Sequence, residues 1–574
     1  MGLLNSPPLL YAVAAVLVAW AFHTAFRTPV LRRHGVPLRK PPNTLPLLGN
    51  GILFLQARQK LFAWFVRCQH ELGYETFQVA VPTLPPGVVI SDPRNLEFVF
   101  KHEGSLVSKG SFVKGMLWDL FGHGIVNADG EVWRVQRKAG LGFLNTANLR
   151  VLTDMALPRY LAATLAQLRQ HAASSSSSTA TSSTTPVDLQ AVFHELTSRL
   201  MGKLAYNMEM HADDAFTVAF DLASGATTER FQNPLWFVTE PLLGAADLRR
   251  ALAVVKAFGR RIVASAVADR QAQHGGGADI VQETGARTGT HDAGTRKVDE
   301  ISGSLIQSLL DAISDHDVVA DAALNYLSAG RDTVAQGLTW TLYLLMQHPR
   351  VVDLIRAEVE HLLGPDALSA GEHADADADT DAAADDDRLR ALARLTPAAL
   401  PYTLSTFYEG LRLYPPIPFE IKQVDAALLT LPDGTELPRG TLVIWCSWAL
   451  NRSRHTWGAD AETFRPERWL DTSTTTTSTS STTTTTTTSS TTTTPSTTIP
   501  PRVVSRSPAE FPVFHGGPRT CLGKKMAEAV AVQTIAAVVA GFDLALAAPG
   551  AERVTKTSLT LPMEGGLPCY VRPR

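Results

Sequence analysis

Phe514-His515-Gly516-Gly517-Pro518-Arg519-Thr520-Cys521-Leu522-Gly523 is the stretch on which the reading of this chain turns. It sets one cysteine in a glycine-rich loop, and the alanine-rich run after it reads as a helix. A thiol just ahead of a helix start faces the first N–H groups and the positive end of the macrodipole, which favour the thiolate. Gly517 and Gly523 allow a turn and a close backbone approach that side chains would block. Phe514 offers a face for a flat ring, and Arg519 a guanidinium for an anionic substituent. A lone cysteine is ordinarily a small buried hydrophobe. Here Phe, two glycines, Arg and Cys fall together at fixed offsets, which points to a cysteine that holds a ligand.

Three further segments have the spacing of functional groups. Trp133-Arg134-Val135-Gln136-Arg137 puts an indole and a guanidinium one helical turn apart, each a hydrogen-bond donor suited to a carboxylate. Ala329-Gly330-Arg331-Asp332-Thr333 lies midway along 317–347, a proline-free apolar-periodic stretch long enough for a helix of ~45 Å. Glycine inside a helix costs ~1 kcal/mol relative to alanine, so Gly330 needs a packing or ligand reason. Glu409-Gly410-Leu411-Arg412 pairs a carboxylate and a guanidinium on one helix face, and Phe464-Arg465-Pro466-Glu467-Arg468-Trp469 follows. Taken alone, such a pair is usually exposed and worth under ~1 kcal/mol.

Together these segments resemble the cytochrome P-450 superfamily: Trp-x-x-x-Arg, Ala-Gly-x-Asp-Thr, Glu-x-x-Arg and Phe-x-x-Gly-x-Arg-x-Cys-x-Gly, in the family's order. The resemblance runs from about Pro41 to the C-terminus, less some insertions. It implies a single large mainly α, α+β domain with a long central helix and small β-sheets. It implies haem b with Cys521 as the axial thiolate, a ligand that pushes electron density onto iron and favours O–O cleavage. Trp133, Arg137 and Arg519 would meet the haem propionates, and Phe514 and Gly517 would shape the loop against the ring. Ala329 and Gly330 would let the ring and O2 approach the helix backbone, while Asp332 and Thr333 relay protons. Glu409, Arg412 and Arg468 would form a buried structural network behind the haem. Some relatives ester-link the haem through a Glu at the position of Ala329; alanine cannot, so the haem here is expected to be non-covalent.

The remaining composition is consistent with this. The 574 residues carry a net charge of −3, which gives no reason to expect nucleic acid as a partner. The four cysteines are far apart and fit no zinc spacing, and so few argue for a reducing compartment. Residues 9–26 form an 18-residue, mostly apolar run that would span ~27 Å as a helix, near the hydrocarbon thickness of an endoplasmic reticulum bilayer. Arg27, Arg32, Arg33, Arg39 and Lys40 follow it, so the catalytic body is expected on the cytosolic side and residues 1–8 in the lumen. A cleaved signal peptide would want a basic segment ahead of the apolar run, which is absent. The basic, proline-containing stretch 27–42 reads as a stiff hinge before a domain at 43–574. Four low-complexity stretches, near 174–186, 274–297, 370–387 and 472–501, cannot bury enough apolar surface to offset chain entropy and read as insertions. They suit neutral surface loops or modification sites.

The substrate is less legible. Ala-Gly-Arg-Asp-Thr, the segment 407–418 (Phe-Tyr-Glu-Gly-Leu-Arg-Leu-Tyr-Pro-Pro-Ile-Pro) and Asn127-Ala128-Asp129-Gly130 look like the alkane and fatty-acid ω-hydroxylase clan, and Gly49-Asn50-Gly51, Gln59-Lys60-Leu61-Phe62 and Leu84-Pro85-Pro86-Gly87-Val88-Val89-Ile90 are similar to its fungal members. That likeness implies terminal or near-terminal hydroxylation of an aliphatic chain. A tailoring oxygenase of terpenoid or polyketide metabolism is the alternative, and a non-catalytic haem protein that binds ligands is a third, against which the Asp332-Thr333 pair argues. The aromatics of Arg230-Phe231-Gln232-Asn233-Pro234-Leu235-Trp236-Phe237-Val238 suit either a bilayer-facing entrance or the core. The sequence contains no flavin or nicotinamide domain, so electrons are expected from an NADPH-dependent diflavin reductase. Arg137, Lys138, Lys524 and Lys525 are candidates for its docking surface, or a merely solvated cluster.

Overall fold

The computed structural model describes residues 29–46, 48–81, 84–176, 185–275, 298, 300–365, 378–471 and 502–574. The candidate membrane segment 9–26 lies outside the described residues, as do 177–184, 276–297, 370–377 and the whole of 472–501. Among the described residues no helix is long and apolar enough to cross a membrane.

A 30-residue central helix, His316–Leu345, organises the domain. Asp315 starts it, its side chain accepting the N–H groups of Asp317 and Val318, so two of the otherwise unpaired donors of the first turn are met. The helix is buried along most of its length, because helices pack on it from every side: Leu189–Tyr206, Ala245–Gly275, Pro401–Leu413 and Lys524–Gly541. A helix apolar all round is one enclosed by others. These contacts form the larger core.

The second core lies under a five-stranded sheet in the order Phe77–Val79, Gly87–Val89, Leu442–Cys446, Phe419–Val424, Val107–Ser108. The hairpin expected around residues 82–86 is present, with Phe77 opposite Val89 and Val79 opposite Gly87. The helix Pro93–Lys101 follows, its N-cap Asp92 accepting from Arg94 N at 2.8 Å. The fold is therefore mainly helical with small sheets.

Two stretches behave differently from their composition. The basic stretch 27–42 is not a free spacer over its described part. Arg32–Arg33 and Val36–Pro37 form a hairpin antiparallel to Thr435–Pro438, and Leu31 and Leu38 are buried beneath it. Two apolar anchors and the ion pairs of Arg33 and Arg39 with Glu75, at 2.6 and 3.0 Å, dock it on the domain. The alanine/aspartate stretch 370–387 is helical in its second half, as part of Ala378–Arg394. Alanine is the best helix former, and Arg390 pairs with Asp386 and Asp387 one turn back.

Candidate active site: the cysteine loop and its supports

The loop is built by short local bonds. Pro512–Phe514 and Gly517–Arg519 are single 3-10 turns, and Cys521 N–H donates to Phe514 O at 2.8 Å, closing the bend between them. Gly517 has φ +61°, and a Cβ there would overlap the carbonyl oxygen of Phe100. Both facts demand glycine. Gly523 has an ordinary φ of −83°; its contribution is a backbone N–H that reaches the Cys521 sulfur.

Of the four cysteines, Cys521 alone is exposed. The surrounding protein nevertheless pushes its thiol pKa up by burial, against the lowering effects of the Gly523 N–H, Arg137 and Lys524. The helix begins only at Lys524, so the expected stabilisation of a free thiolate by the helix start is outweighed by desolvation. The sulfur is thus accessible while the protein packed around it disfavours a free thiolate. The central helix has a similar opening: Ala329 is exposed and Gly330 and Thr333 are half-buried, within an otherwise buried run.

Around the loop, Arg519 sits 4.7 Å and Arg137 5.4 Å from the centre of the Trp133 ring. Arg137 Nη1 donates to Thr520 O at 3.0 Å, holding the residue before the cysteine. Arg519 pairs with Asp129 at 2.5 Å and with Glu103 at 3.1 Å. Phe514 is half-buried, with Lys524 Nζ 5.3 Å from its ring centre.

Behind the loop, Glu409 is fully buried and receives five N–H groups. Arg412 Nε and Nη2 donate to it at 2.8 and 2.7 Å, Arg468 Nε at 2.8 Å, Arg465 N at 2.9 Å and Trp469 Nε1 at 2.9 Å. Arg412 also donates to the carbonyls of Asn451, Ala461 and Thr463, at 2.6, 2.5 and 3.1 Å. Every charge in this network is thus matched by hydrogen bonds, the condition under which a buried ion pair is tolerated. The sequence-predicted trio Glu409, Arg412 and Arg468 comes together; Trp469 completes it and was not anticipated.

On the central helix, Thr333 Oγ1 donates to Ala329 O at 2.7 Å. Asp332 is buried and accepts from Arg331 Nε at 2.6 Å. Gly330 has a packing reason for its missing side chain. A Cβ there would lie 2.6 Å from Met201 Sδ, so the missing side chain lets the Leu189–Tyr206 helix approach, and Ala329 is the small residue left accessible.

The cytochrome P450 family model matches residues 39–568. The chain belongs to the cytochrome P450 family. It is 27% identical over 538 residues to cytochrome P450 704B1 of Arabidopsis thaliana, covering 90% of this chain and 91% of that protein. It is 28% identical over 580 residues to cytochrome P450 86B1 of the same plant, covering 98% and 90%. Cytochrome P450 monooxygenase cyp1 of Mycosarcoma maydis is 27% identical over 524 residues, covering 89% of this chain and 70% of that one.

The chain is thus a P450 monooxygenase, and the family's cofactor is haem b, held without a covalent link through a cysteine thiolate. The residues present fit that group: one accessible soft ligand, a loop shaped by glycine, and Arg137 and Arg519 gathered at Trp133 beside it. One feature of this P450 escaped the sequence reading. Glu103 and Lys422 form a buried pair at 2.5 Å, joined by Arg519 and by His515 Nε2 at 3.5 Å, with Lys109 and Glu420 paired alongside at 3.5 Å. Burial and the other positive charges hold Lys422 down at about 8 and His515 at about 4. Burial opposes ionisation of Glu420, but Lys109 and Lys422 overcome it and bring the carboxyl to about 2. Lys422 sits in register with inward-facing Val424 on one strand face, and that alternation was the available sign.

Two outcomes follow for the P450. Glu409→Ala leaves Arg412 and Arg468 buried without their carboxylate, a cost of about 3–5 kcal/mol; purified variant protein should lack haem by absorbance. Gly517→Ala forces a left-handed alanine, about 1–2 kcal/mol, onto the Phe100 carbonyl; haem content should fall while far-ultraviolet circular dichroism stays near wild type.

Proposed function

We propose that this P450 is anchored in the endoplasmic reticulum membrane by residues 9–26, with its catalytic domain in the cytosol. Its proposed reaction is hydroxylation of the terminal or near-terminal carbon of an alkane or fatty acid, with electrons from an NADPH-dependent diflavin reductase. Cys521 would supply the thiolate that holds the haem, and Trp133, Arg137 and Arg519 would hold its propionates. Bound haem supplies oxygen activation, with the thiolate favouring O–O cleavage. Thr333 and Asp332 hold and pass protons beside Ala329.

The observation that carries the lipid-substrate reading is an apolar surface around a cleft. The helix Trp236–Leu243 turns Leu235, Phe237, Val238, Leu242 and Leu243 outward, Leu243 being 84% exposed. Leu48, Ile52 and Leu55 are exposed on the N-terminal side. Phe54 and Leu55 line a cleft of about 200 Å3 together with Gln232 and Asn233, just ahead of that helix. Apolar side chains this exposed suit a bilayer surface from which a lipid-soluble chain would be drawn. The two aromatic alternatives divide between residues: Phe237 faces out, whereas Phe231 packs on Phe112 with ring centres 6.2 Å apart. The arginines nearest the cleft have partners already. Arg58 donates to the carbonyls of Lys556, Ser558 and Thr560, and Arg230 pairs with Asp119 and Glu240 at 2.7 Å. The cleft itself is lined largely by polar groups, Gln56, Arg58, Glu229, Gln232, Asn233 and Thr557, so the support for a lipid-soluble substrate is the exposed apolar surface beside it.

Lys138, Lys524 and Lys525 remain exposed near the loop and suit an acidic reductase surface, whereas Arg137 is drawn in toward Thr520.

Substrate-induced spin shifts across alkanes, fatty acids and terpenoids test the substrate class: response confined to terpenoids defeats the aliphatic reading. Thr333→Ala should uncouple turnover, so that NADPH consumption continues while peroxide replaces product; tight coupling in that variant removes the relay.

A further inference from the structure

Arg58 carries a buried charge that no carboxylate answers. It is 5% exposed, and among the described residues it enters no ion pair. Its Nη1 donates to the carbonyls of Lys556, Ser558 and Thr560 at 3.3, 2.5 and 2.9 Å. Those carbonyls fasten the segment 556–560 to the helix but neutralise no charge. Nε is buried without a partner, and Nη2 bonds none of the described residues. The Phe62 ring centre, 5.4 Å from the guanidinium carbon, offers only the face of an aromatic. Burial lowers the Arg58 pKa to about 10; Cys446 opposes that and no acid does. The group therefore stays charged at neutral pH. A buried cation is ordinarily paired, because leaving it unpaired is costly.

The surroundings of Arg58 suit the missing anion. It lies in the wall of the cleft of about 200 Å3, with Phe54, Gln56, Gln232 and Thr557. Ala57 and Arg58, both in that wall, also begin the 15-residue helix Arg58–Leu72, which no side chain caps. The N–H groups of Lys60 and Leu61 turn back to Ala57 O at 2.9 and 3.3 Å, whereas those of Arg58 and Gln59 bond none of the described residues. Two free donors and the positive end of a helix thus stand at the same cleft as the guanidinium. The side chains of Gln56 and Gln232 likewise bond none of the described residues. One group opposes an anion: Glu229, exposed on the facing helix Ala215–Gln232.

We propose that this cleft is the head-group site of a fatty-acid substrate, in which Arg58 and the start of its helix hold the carboxylate while the hydrocarbon chain runs toward the central helix. The inference rests on the aliphatic reading above and narrows it to fatty acids over alkanes. The cleft and the central helix share a wall at Thr560. Its carbonyl accepts from Arg58, and its Oγ1 accepts from Gln336 Nε2 at 2.8 Å. Gln336 lies one turn beyond Thr333 on that helix. A carboxylate held at Arg58 keeps the polar end of the substrate away from the opening at Ala329 and leaves the far end to meet it. That is the orientation that terminal or near-terminal hydroxylation needs. Charge-assisted hydrogen bonds are about twice as strong as neutral ones. An ester of the same chain forfeits that difference, and an alkane has nothing to offer the unpaired donors.

The test titrates haem-loaded full-length protein with a long-chain saturated fatty acid, its methyl ester and the alkane of equal length, reading dissociation constants from the spin shift. The wild type should bind the acid roughly tenfold or more tighter than the ester. Arg58→Gln keeps amide donors for the segment 556–560 and removes the charge. Its affinity for the acid should fall to that for the ester, and the ester affinity should hold. Glu229→Gln alters an exposed residue and should tighten binding of the acid roughly two- to fivefold, with the ester unchanged. Should Arg58→Gln fail to load haem, Glu229→Gln decides, and an acid affinity equal to wild type overturns the site. Acid and ester bound alike by the wild type, or an acid preference intact in Arg58→Gln, overturns the head-group site and leaves the aliphatic reading standing. No shift with any of the three, against a shift with terpenoids, overturns both.

Discussion

A single carboxylate, Glu409, ties the helix Pro401–Leu413 to the stretch 465–469 behind the cysteine loop. It is fully buried and accepts five N–H groups from its own helix and from the stretch 465–469, including both guanidinia and an indole. A buried charge is expensive, so it stays only where every partner is in place. That makes it a test of correct assembly. The network reaches the cysteine loop through rings: Trp469 donates to Glu409 and packs 4.8 Å from Phe511, whose ring lies 6.3 Å from Phe514. Tyr408, the neighbour of Glu409, lies 6.4 Å from Phe514 and donates to Glu528 on the helix after the cysteine. The loop is thus braced from behind by the same residues that satisfy the buried charge.

From that base the two halves of the site follow different rules. The loop half is rigid and covalently local, with Cys521 tied to Phe514 and glycine forced at Gly517. Its charges are paired among themselves in the Glu103, Lys422, His515 and Arg519 cluster. The central-helix half keeps loose ends. Thr333 bonds only its own helix turn, and Asp332 shares Arg331 with a second carboxylate nearby.

Much of this was legible in the sequence because the chemistry is local. The cysteine loop, the Asp92 cap, the central helix and the Glu409–Arg412 turn each lie within a short segment whose spacing states its geometry. What was missed depends on distant segments meeting. Trp469 joins Glu409 across 60 positions, and Lys422 meets Glu103 across the sheet. Spacing also could not say which neighbour the bare backbone of Gly330 admits, and Met201 on another helix packs there. The docking of residues 32–38 was hidden by their basic composition; only Leu31 and Leu38 hinted at it.

The most direct measurement is the absorption spectrum of the purified, reduced, CO-bound protein. Haem held by Cys521 gives the strongly red-shifted Soret band of thiolate ligation, and Cys521→Ala removes it. A band typical of histidine ligation in the wild-type protein, or one unchanged in Cys521→Ala, would contradict the account.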